Sequence, residues 1–293
     1  MTQTAGWLDS RVERSTIENG RSVFVTGAGS GIGRALVLVL LDCGYHIFAG
    51  VIDETEANGL LESFSPARLT PVVVDVRDET SVENAAQKIR CHLQEQKLTA
   101  VCNIAGVIVN GPLADLSGTD FLNVLAVNVV GIHNVTRAML PLMGPGSRVI
   151  NMSSASGVRT LPLTGAYSAS KFGVEALTAA MRMEFRPLGI GVTAIAPGMV
   201  DTPMAARIQQ ELAAEPSLPV YSEPLRRFLT KSIASAADGI PMRRVTRAFV
   251  GAIVTRRIAP RYDLHHSYVQ DAVIMRMLPI GLRERIVSRV LAL

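Results

Sequence analysis

Tyr167 and Lys171 stand one helical turn apart in Tyr167-Ser168-Ala169-Ser170-Lys171, a spacing that puts a phenol and an ammonium on one face of a helix. A free phenol titrates at about pH 10, so it exchanges protons poorly at neutrality unless a nearby cation stabilises the phenolate. Lys171 is placed to be that cation; on a solvated helix face the same spacing would be only a surface pair. A second constellation, Thr26-Gly27-Ala28-Gly29-Ser30-Gly31-Ile32-Gly33, follows the β-rich run Ser22-Val23-Phe24-Val25 and precedes Ala35-Leu36-Val37-Leu38-Val39-Leu40. Strand, glycine loop and helix in that order are what a dinucleotide site requires. The glycines permit a tight turn and close backbone approach, and the helix start offers free N–H groups to a pyrophosphate.

The Thr-Gly-x-x-x-Gly-x-Gly spacing differs from the two-domain dehydrogenase fingerprint, and with Tyr167 and Lys171 it resembles the short-chain dehydrogenase/reductase family. Further stretches match that family's pattern in order: Asp75-Val76, Asn103-Ile104-Ala105-Gly106, Asn128 in Val127-Asn128-Val129, Ser153-Ser154, and Pro197-Gly198 with Thr202. The resemblance covers roughly residues 20 to 260; Ile104 departs from it where the family usually has a second asparagine. It implies that Thr26, Gly27, Gly31 and Gly33 form a cofactor turn lined by Ser30 and Ile32, with Asp75 and Val76 holding the adenine. Asp75 could instead cap the following helix. Asn103, Ala105 and Gly106 would let the chain pass close to the adenosine ribose. Pro197, Gly198, Val200 and Thr202 would clamp the nicotinamide, although a Pro-Gly pair elsewhere is more often a plain turn.

The catalytic set implied by the resemblance is Asn128, Ser154, Tyr167 and Lys171. Ser154 lies thirteen residues before Tyr167, the family's spacing for placing a hydroxyl and a phenol on one substrate oxygen, and Ser153 is expected to point away. In alcohol oxidation Tyr167 as phenolate would take the hydroxyl proton while hydride leaves for the nicotinamide, and Ser154 would hold the developing carbonyl. Lys171 would lower the phenol pKa and grip the nicotinamide ribose. Asn128 would hold a water linking Lys171 to solvent, or would simply mark a helix kink.

The choice of dinucleotide depends on charge beside the adenosine 2′ position, since NADP adds a phosphate and NAD leaves a hydroxyl for which a carboxylate is a good acceptor. Ser30 occupies the loop position where NADP users of the family often carry a basic residue, and Ala49-Gly50-Val51-Ile52-Asp53-Glu54 contains no Lys or Arg. NAD is favoured, with NADP as the alternative. Asp53 could contact the ribose or could start a helix facing solvent.

Val158, Leu161, Leu163 and Met199, with a lid from Pro203 to about Asp238 that carries Met204, Leu212, Leu218, Val220, Tyr221, Leu225, Phe228 and Leu229, suggest an apolar alcohol or carbonyl as substrate. Tyr45-His46-Ile47-Phe48-Ala49-Gly50 and the tail resemble the branch of retinol, hydroxysteroid and 3-hydroxybutyrate dehydrogenases. Arg159 could bind the carboxylate of a small hydroxy acid, or lie on the surface. A catalytically silent dinucleotide sensor or a scaffold is a further reading, against which the full set Ser154, Tyr167 and Lys171 argues.

The elements that must carry these residues alternate. Strands are expected near 22–26, 46–51, 71–75, 99–103, 147–152 and 191–196, with helices near 32–43, 54–63, 79–97, 119–143, 166–187 and 204–213. This is the pattern of right-handed βαβ units and of an α/β, Rossmann-type, doubly wound parallel sheet. One domain at 21–262, including a helical lid at 203–240, is expected between an N-terminal extension at 1–20 and an amphipathic tail at 263–293. In that tail Val273, Ile274, Met277, Leu278, Leu282, Ile286, Val290 and Leu291 are interleaved with Arg276, Arg283, Arg285 and Arg289, with a break near Pro279. Such a segment can lie on an anionic membrane as a peripheral contact, cover the substrate mouth, or join subunits.

A chain of 293 residues can build a large core. Its net charge of +4 is spread along the sequence without a nucleic-acid-binding motif. The pI is about 9.2 and the mean hydropathy +0.28, to which buried parallel strands contribute. Cys43, Cys91 and Cys102 form no disulfide framework or metal-ligand spacing, adjacent His265 and His266 do not suggest a metal, and a reducing, cytoplasmic setting fits. Residues 1–20 lack the apolar core of a secretory signal, and no run of about 18 apolar residues suggests a membrane span. The family resemblance implies a homodimer or homotetramer paired through the helices bearing Asn128 and Tyr167, for which Phe121, Leu122, Phe172, Leu177 and Met181 are candidate contacts that could equally be core against the sheet.

Overall fold

Alternation of side chains across the strands divides the core into two layers. In β1 (Ser22–Thr26) Val23 and Val25 pack on one side of the sheet and Phe24 on the other; in β4 (Leu98–Asn103) Ala100 and Cys102 share the first side and Val101 the second. The period of two fixes the register, because a slip of one residue would exchange the two layers. This computed structural model describes residues 21–64, 66–200, 202, 216–237, 239–264 and 279–293.

The remaining strands are β2 (His46–Val51), β3 (Leu69–Val73), β5 (Arg148–Met152), β6 (Gly191–Pro197) and β7 (Arg261–Leu264). They form one parallel sheet in the order β3-β2-β1-β4-β5-β6-β7. The chain reverses its direction of travel between β1 and β4, and the crevice at the carboxyl ends of strands beside such a switch is where these sheets bind ligands.

Helices α1 (Gly31–Asp42) and α2 (Glu54–Ser63) cover the first face. Helix α3 (Glu79–Leu93), the pair α4 (Gly118–Leu125) and α5 (Gly131–Met139), and α6 (Gly165–Glu184) belong to the second. Each core-facing stripe is built from apolar residues at helical spacing, for example Val82, Ala85, Ala86, Ile89 and Leu93 on α3. Helices α7 (Ser222–Ala237), α8 (Met242–Val254) and α9 (Ile280–Leu291) follow β6. Helix α8 returns to the first face with Val245, Phe249, Val250 and Ile253, whereas Leu225 and Phe228 of α7 and Leu291 of α9 make a small separate core with Leu163.

Several boundaries differ from those expected. β3 begins at Leu69, directly after a 3-10 turn at Pro66–Arg68, and tolerates Pro71 because it is an edge strand. The helix expected over 119–143 is four successive segments: α4 and α5 are joined by a π turn at Ala126–Val130, and a 3-10 turn follows at Leu140–Leu142. β7 crosses the expected domain boundary at 262 and pairs Ala194 with Arg261 through Pro197 with Leu264. The N-terminal extension, the helix expected at 204–213, Met204, Leu212, His265, His266 and the tail up to Leu278 lie outside the described residues.

Candidate active site

The glycine loop at the end of β1 is locked from below. The Thr26 hydroxyl accepts the backbone N–H groups of Ile104 at 3.0 Å and Ala105 at 3.1 Å, tying β1 to the loop after β4. Gly27 has φ +65°, and a Cβ there would meet the Ala105 Cα at 2.8 Å. A Cβ at Gly33 would fall 2.1 Å from the Gly27 carbonyl oxygen, so helix and loop meet closer than any side chain permits. Ser30 starts α1 in an extended conformation without a side-chain capping bond, which leaves the first-turn N–H groups directed at the crevice.

That crevice is a cleft of about 930 Å³. Gly27, Ser30, Gly31, Ile32 and Gly33 line one part of it, Asp75 and Val76 the adjoining wall, and Ala105 and Gly106 the floor. Pro197, Gly198, Val200 and Thr202 line the far end with Ser154, Tyr167 and Lys171. The Pro197–Gly198 turn is held by the Gly198 N–H on the Leu264 carbonyl at 3.0 Å and by a parallel bridge between Val200 and Ile240.

Four anticipated residues stand elsewhere. Thr26 is buried beneath the loop and acts through its hydroxyl on the β4 loop. The Asn103 side chain is turned into the core, donating to Asn151 at 2.8 Å and Thr136 at 3.2 Å. Asp53 is the N-cap of α2, accepting the Glu56 N–H at 2.9 Å. Asn128 is fully buried in the π turn behind the catalytic wall. Asp75 does not cap α3, whose N-cap is Asp78; Arg77 grips it at 2.6 Å and holds its carboxyl below the usual range.

Asn128 connects the parts of the catalytic end. Its amide donates to the Val107 carbonyl and the Ser170 hydroxyl, each at 2.9 Å, and its oxygen accepts the Val107 N–H at 2.8 Å. Ser170 in turn donates to the Tyr167 carbonyl at 2.7 Å. The π turn therefore clamps the β4 loop to the first turns of α6, a common use of such turns at functional sites.

Lys171 Nζ lies 5.5 Å from the centre of the Tyr167 ring and donates to the Met152 carbonyl at 2.9 Å. Burial lowers its pKa to about 8, against a smaller opposing pull from Glu175. An ammonium has three donors; among the described residues only the Met152 oxygen accepts one, so the others face the cleft as ribose-binding groups would. Burial pushes the Tyr167 phenol above its ordinary value, and a hydrogen bond with Ser154 opposes the shift.

Ser154 also accepts the Ser156 N–H at 3.1 Å. The Ser153 hydroxyl is directed at Glu175, which pairs with Arg261; Arg261 also binds Asp263 at 2.7 Å and donates to the Ser154 carbonyl at 3.3 Å. This half-buried pair beneath the serine leaves no local signal in the sequence, because its members lie on α6 and β7, far apart in the chain. Leu161, Met199 and Phe228 line the cleft, as do Arg159, Glu56 and Arg77, whereas Leu163 packs in the small core with Leu225, Phe228 and Leu291. Of these, Glu56 had a local signal in the capping spacing Asp53-x-x-Glu56.

A sequence profile described as short chain dehydrogenase matches residues 21–213. Short-chain dehydrogenase/reductase family 9C member 7 from Homo sapiens is 34% identical over 282 residues, covering 92% of this chain and 89% of that protein. Retinol dehydrogenase 5 from Homo sapiens is 36% identical over 200 residues, 68% of this chain and 62% of that protein. Among solved structures, a short chain dehydrogenase/reductase from Burkholderia phymatum in complex with NAD superposes with a TM-score of 0.72 at 26% identity, covering 86% of this chain and 91% of that one. With its strand order, glycine loop and Ser154–Tyr167–Lys171 cluster in place, the chain belongs to the short-chain dehydrogenase/reductase family.

Proposed function

We propose that the protein is an NAD-dependent oxidoreductase that interconverts an apolar alcohol, of steroid, retinoid or lipid type, and its ketone or aldehyde. The observation that carries this reading is the arrangement of one cleft: the glycine loop and α1 N-terminus at one end, and Ser154, Tyr167 and Lys171 beside the Pro197–Thr202 segment at the other. The close approach at Gly27 and Gly33, the uncapped α1 start and the free Lys171 donors fit a dinucleotide. When bound, the nicotinamide supplies the hydride acceptor or donor.

The remaining work falls to side chains. Tyr167 gives its phenolic proton to the carbonyl oxygen in reduction and takes it back in oxidation. Ser154 donates to the same oxygen as charge develops on it. Lys171 holds the ribose and offsets the phenolate, and Asn128 keeps the Tyr167 turn against the β4 loop. With its phenol pushed up by burial, Tyr167 holds its proton at neutrality, ready for reduction; oxidation requires its removal and gains from higher pH.

Leu161, Met199 and Phe228 give the substrate end its apolar walls, and the similarity to retinol dehydrogenase 5 supports that class. Arg159 also lines the cleft without an ion-pair partner among the described residues, which favours, as a second reading, an acidic group on the substrate such as that of a small hydroxy acid. The outward face of α9 carries Leu282, Ile286 and Val290, each more than two-fifths exposed, flanked by Arg283, Arg285 and Arg289. This supports peripheral contact with an anionic membrane; no helix among the described residues is long and apolar enough to cross one. Exposed Leu122 and Phe172 support a dimer through α4 and α6, while Leu177 and Met181 pack in the core.

The test is reduced-cofactor formation over hydroxysteroids, retinol, simple secondary alcohols and 3-hydroxybutyrate, with NAD and NADP in parallel. Turnover of a bulky apolar alcohol with NAD is expected. Turnover of 3-hydroxybutyrate alone would replace the apolar reading with the acidic one.

A further inference from the structure

The acidic residue nearest the end of β2 does not face the glycine loop. Asp53 accepts the Glu56 N–H at 2.9 Å and is spent as the N-cap of α2. By fixing that first turn it directs Glu56 back over β2. The Glu56 carboxylate accepts the Ile52 N–H at 3.2 Å, one residue short of the N-cap N–H that the glutamate of a capping box usually takes. Its oxygens lie against the loop: a Cβ built on Gly29 would be 2.2 Å from Oε2 and 2.7 Å from Oε1. Glu56 lines the cleft and has no cationic partner among the described residues.

The α1 N-terminus receives the pyrophosphate in this fold, which puts the adenosine ribose between the glycine loop and the end of β2. Glu56 bridges those two segments. We propose that Glu56 is the residue that reads the adenosine ribose, accepting hydrogen bonds from its vicinal hydroxyls in NAD and repelling the 2′-phosphate of NADP. The inference rests on the dinucleotide reading above and assigns its selectivity to one side chain. A phosphate there would face the carboxylate at close range. The cation on this wall of the cleft, Arg77, offers it little: both Asp75 oxygens and the Asn123 side chain, at 2.9 Å, engage the guanidinium. Lys171 belongs to the catalytic end and is turned to Met152. Gly29 is needed for the same reason, since any side chain there would displace the carboxylate.

The test is calorimetric titration of the full chain with NAD and with NADP, for the wild type, Glu56→Gln and Asp53→Asn. Glutamine keeps an acceptor for the Ile52 N–H and removes only the charge; matched melting curves exclude a general loss of structure. The wild type is expected to bind NAD more tightly, and Glu56→Gln to lower the ratio of NAD to NADP affinity by roughly tenfold to a hundredfold, mostly through tighter NADP binding. Asp53→Asn is expected to leave the ratio within about threefold, because its cap function is uncharged in character. An unchanged ratio in Glu56→Gln, or a collapse confined to Asp53→Asn, would overturn the assignment while leaving the dinucleotide reading intact. A wild type that binds neither dinucleotide would overturn both.

Discussion

Lys171 Nζ sits 5.5 Å from the centre of the Tyr167 ring with its ammonium bonded to the Met152 carbonyl, so the cation is fixed by β5 rather than by the phenol it serves. The cost is the burial of an ammonium, since Lys171 is only 4% exposed.

That cost is measurable through pH. The Lys171 pKa is about 8 in the folded chain against an ordinary 10.5, so between these values the unfolded chain binds the additional proton and stability rises with pH. Below about pH 8 the buried charge costs on the order of 3 kcal/mol. Lys171→Met is therefore predicted to melt several degrees higher than the wild type at pH 7. The difference should shrink as pH rises from 8 towards 10.5, followed by circular dichroism at a series of pH values.

Asn128→Ala removes the amide that joins the Val107 backbone to Ser170. It leaves a part-buried N–H and carbonyl without partners, which costs about 1 to 2 kcal/mol. Urea denaturation should show that loss at an unchanged m-value, and kcat should fall because the Tyr167 turn is no longer held.

Gly33→Ala introduces a methyl 2.1 Å from the Gly27 oxygen. The loop must then move away from α1, at about 1 to 3 kcal/mol. Dinucleotide affinity should weaken by roughly 5-fold to 150-fold, measured by protein fluorescence quenching on titration.

The inner face of α9 closes the small core between α7 and Leu163 through Leu291, which packs with Leu163, Leu225 and Phe228. Leu291→Asp should release α9 and loosen the apolar wall that Phe228 contributes to the cleft. The expected result is a KM for a bulky apolar alcohol raised about tenfold, with dinucleotide affinity unchanged.

The features legible in sequence are those set by local spacing. The glycine loop, the strand and helix alternation and the Ser154, Tyr167 and Lys171 register are each encoded within a few residues, and the structure places them on one cleft. β7 was not legible, because Arg261–Leu264 is short, carries two charges and becomes a strand only by pairing with β6. Asn103 has the right type at the right sequence position and Asp53 the right type a little beyond the usual acidic position, yet their side chains are taken by the core and by the α2 cap. Which way a side chain turns depends on partners distant in sequence, and the Glu175–Arg261 pair under Ser153 is hidden for the same reason.

Hydride transfer by the wild type and by Tyr167→Phe, followed as reduced-cofactor absorbance with NAD and a bulky secondary alcohol, tests the central claim most directly. Turnover by the wild type is expected, with a loss of roughly a hundredfold to ten-thousandfold in Tyr167→Phe and NAD affinity nearly unchanged in the variant. Turnover retained by Tyr167→Phe, or a wild type that binds NAD yet transfers no hydride to or from any alcohol or carbonyl, would contradict it.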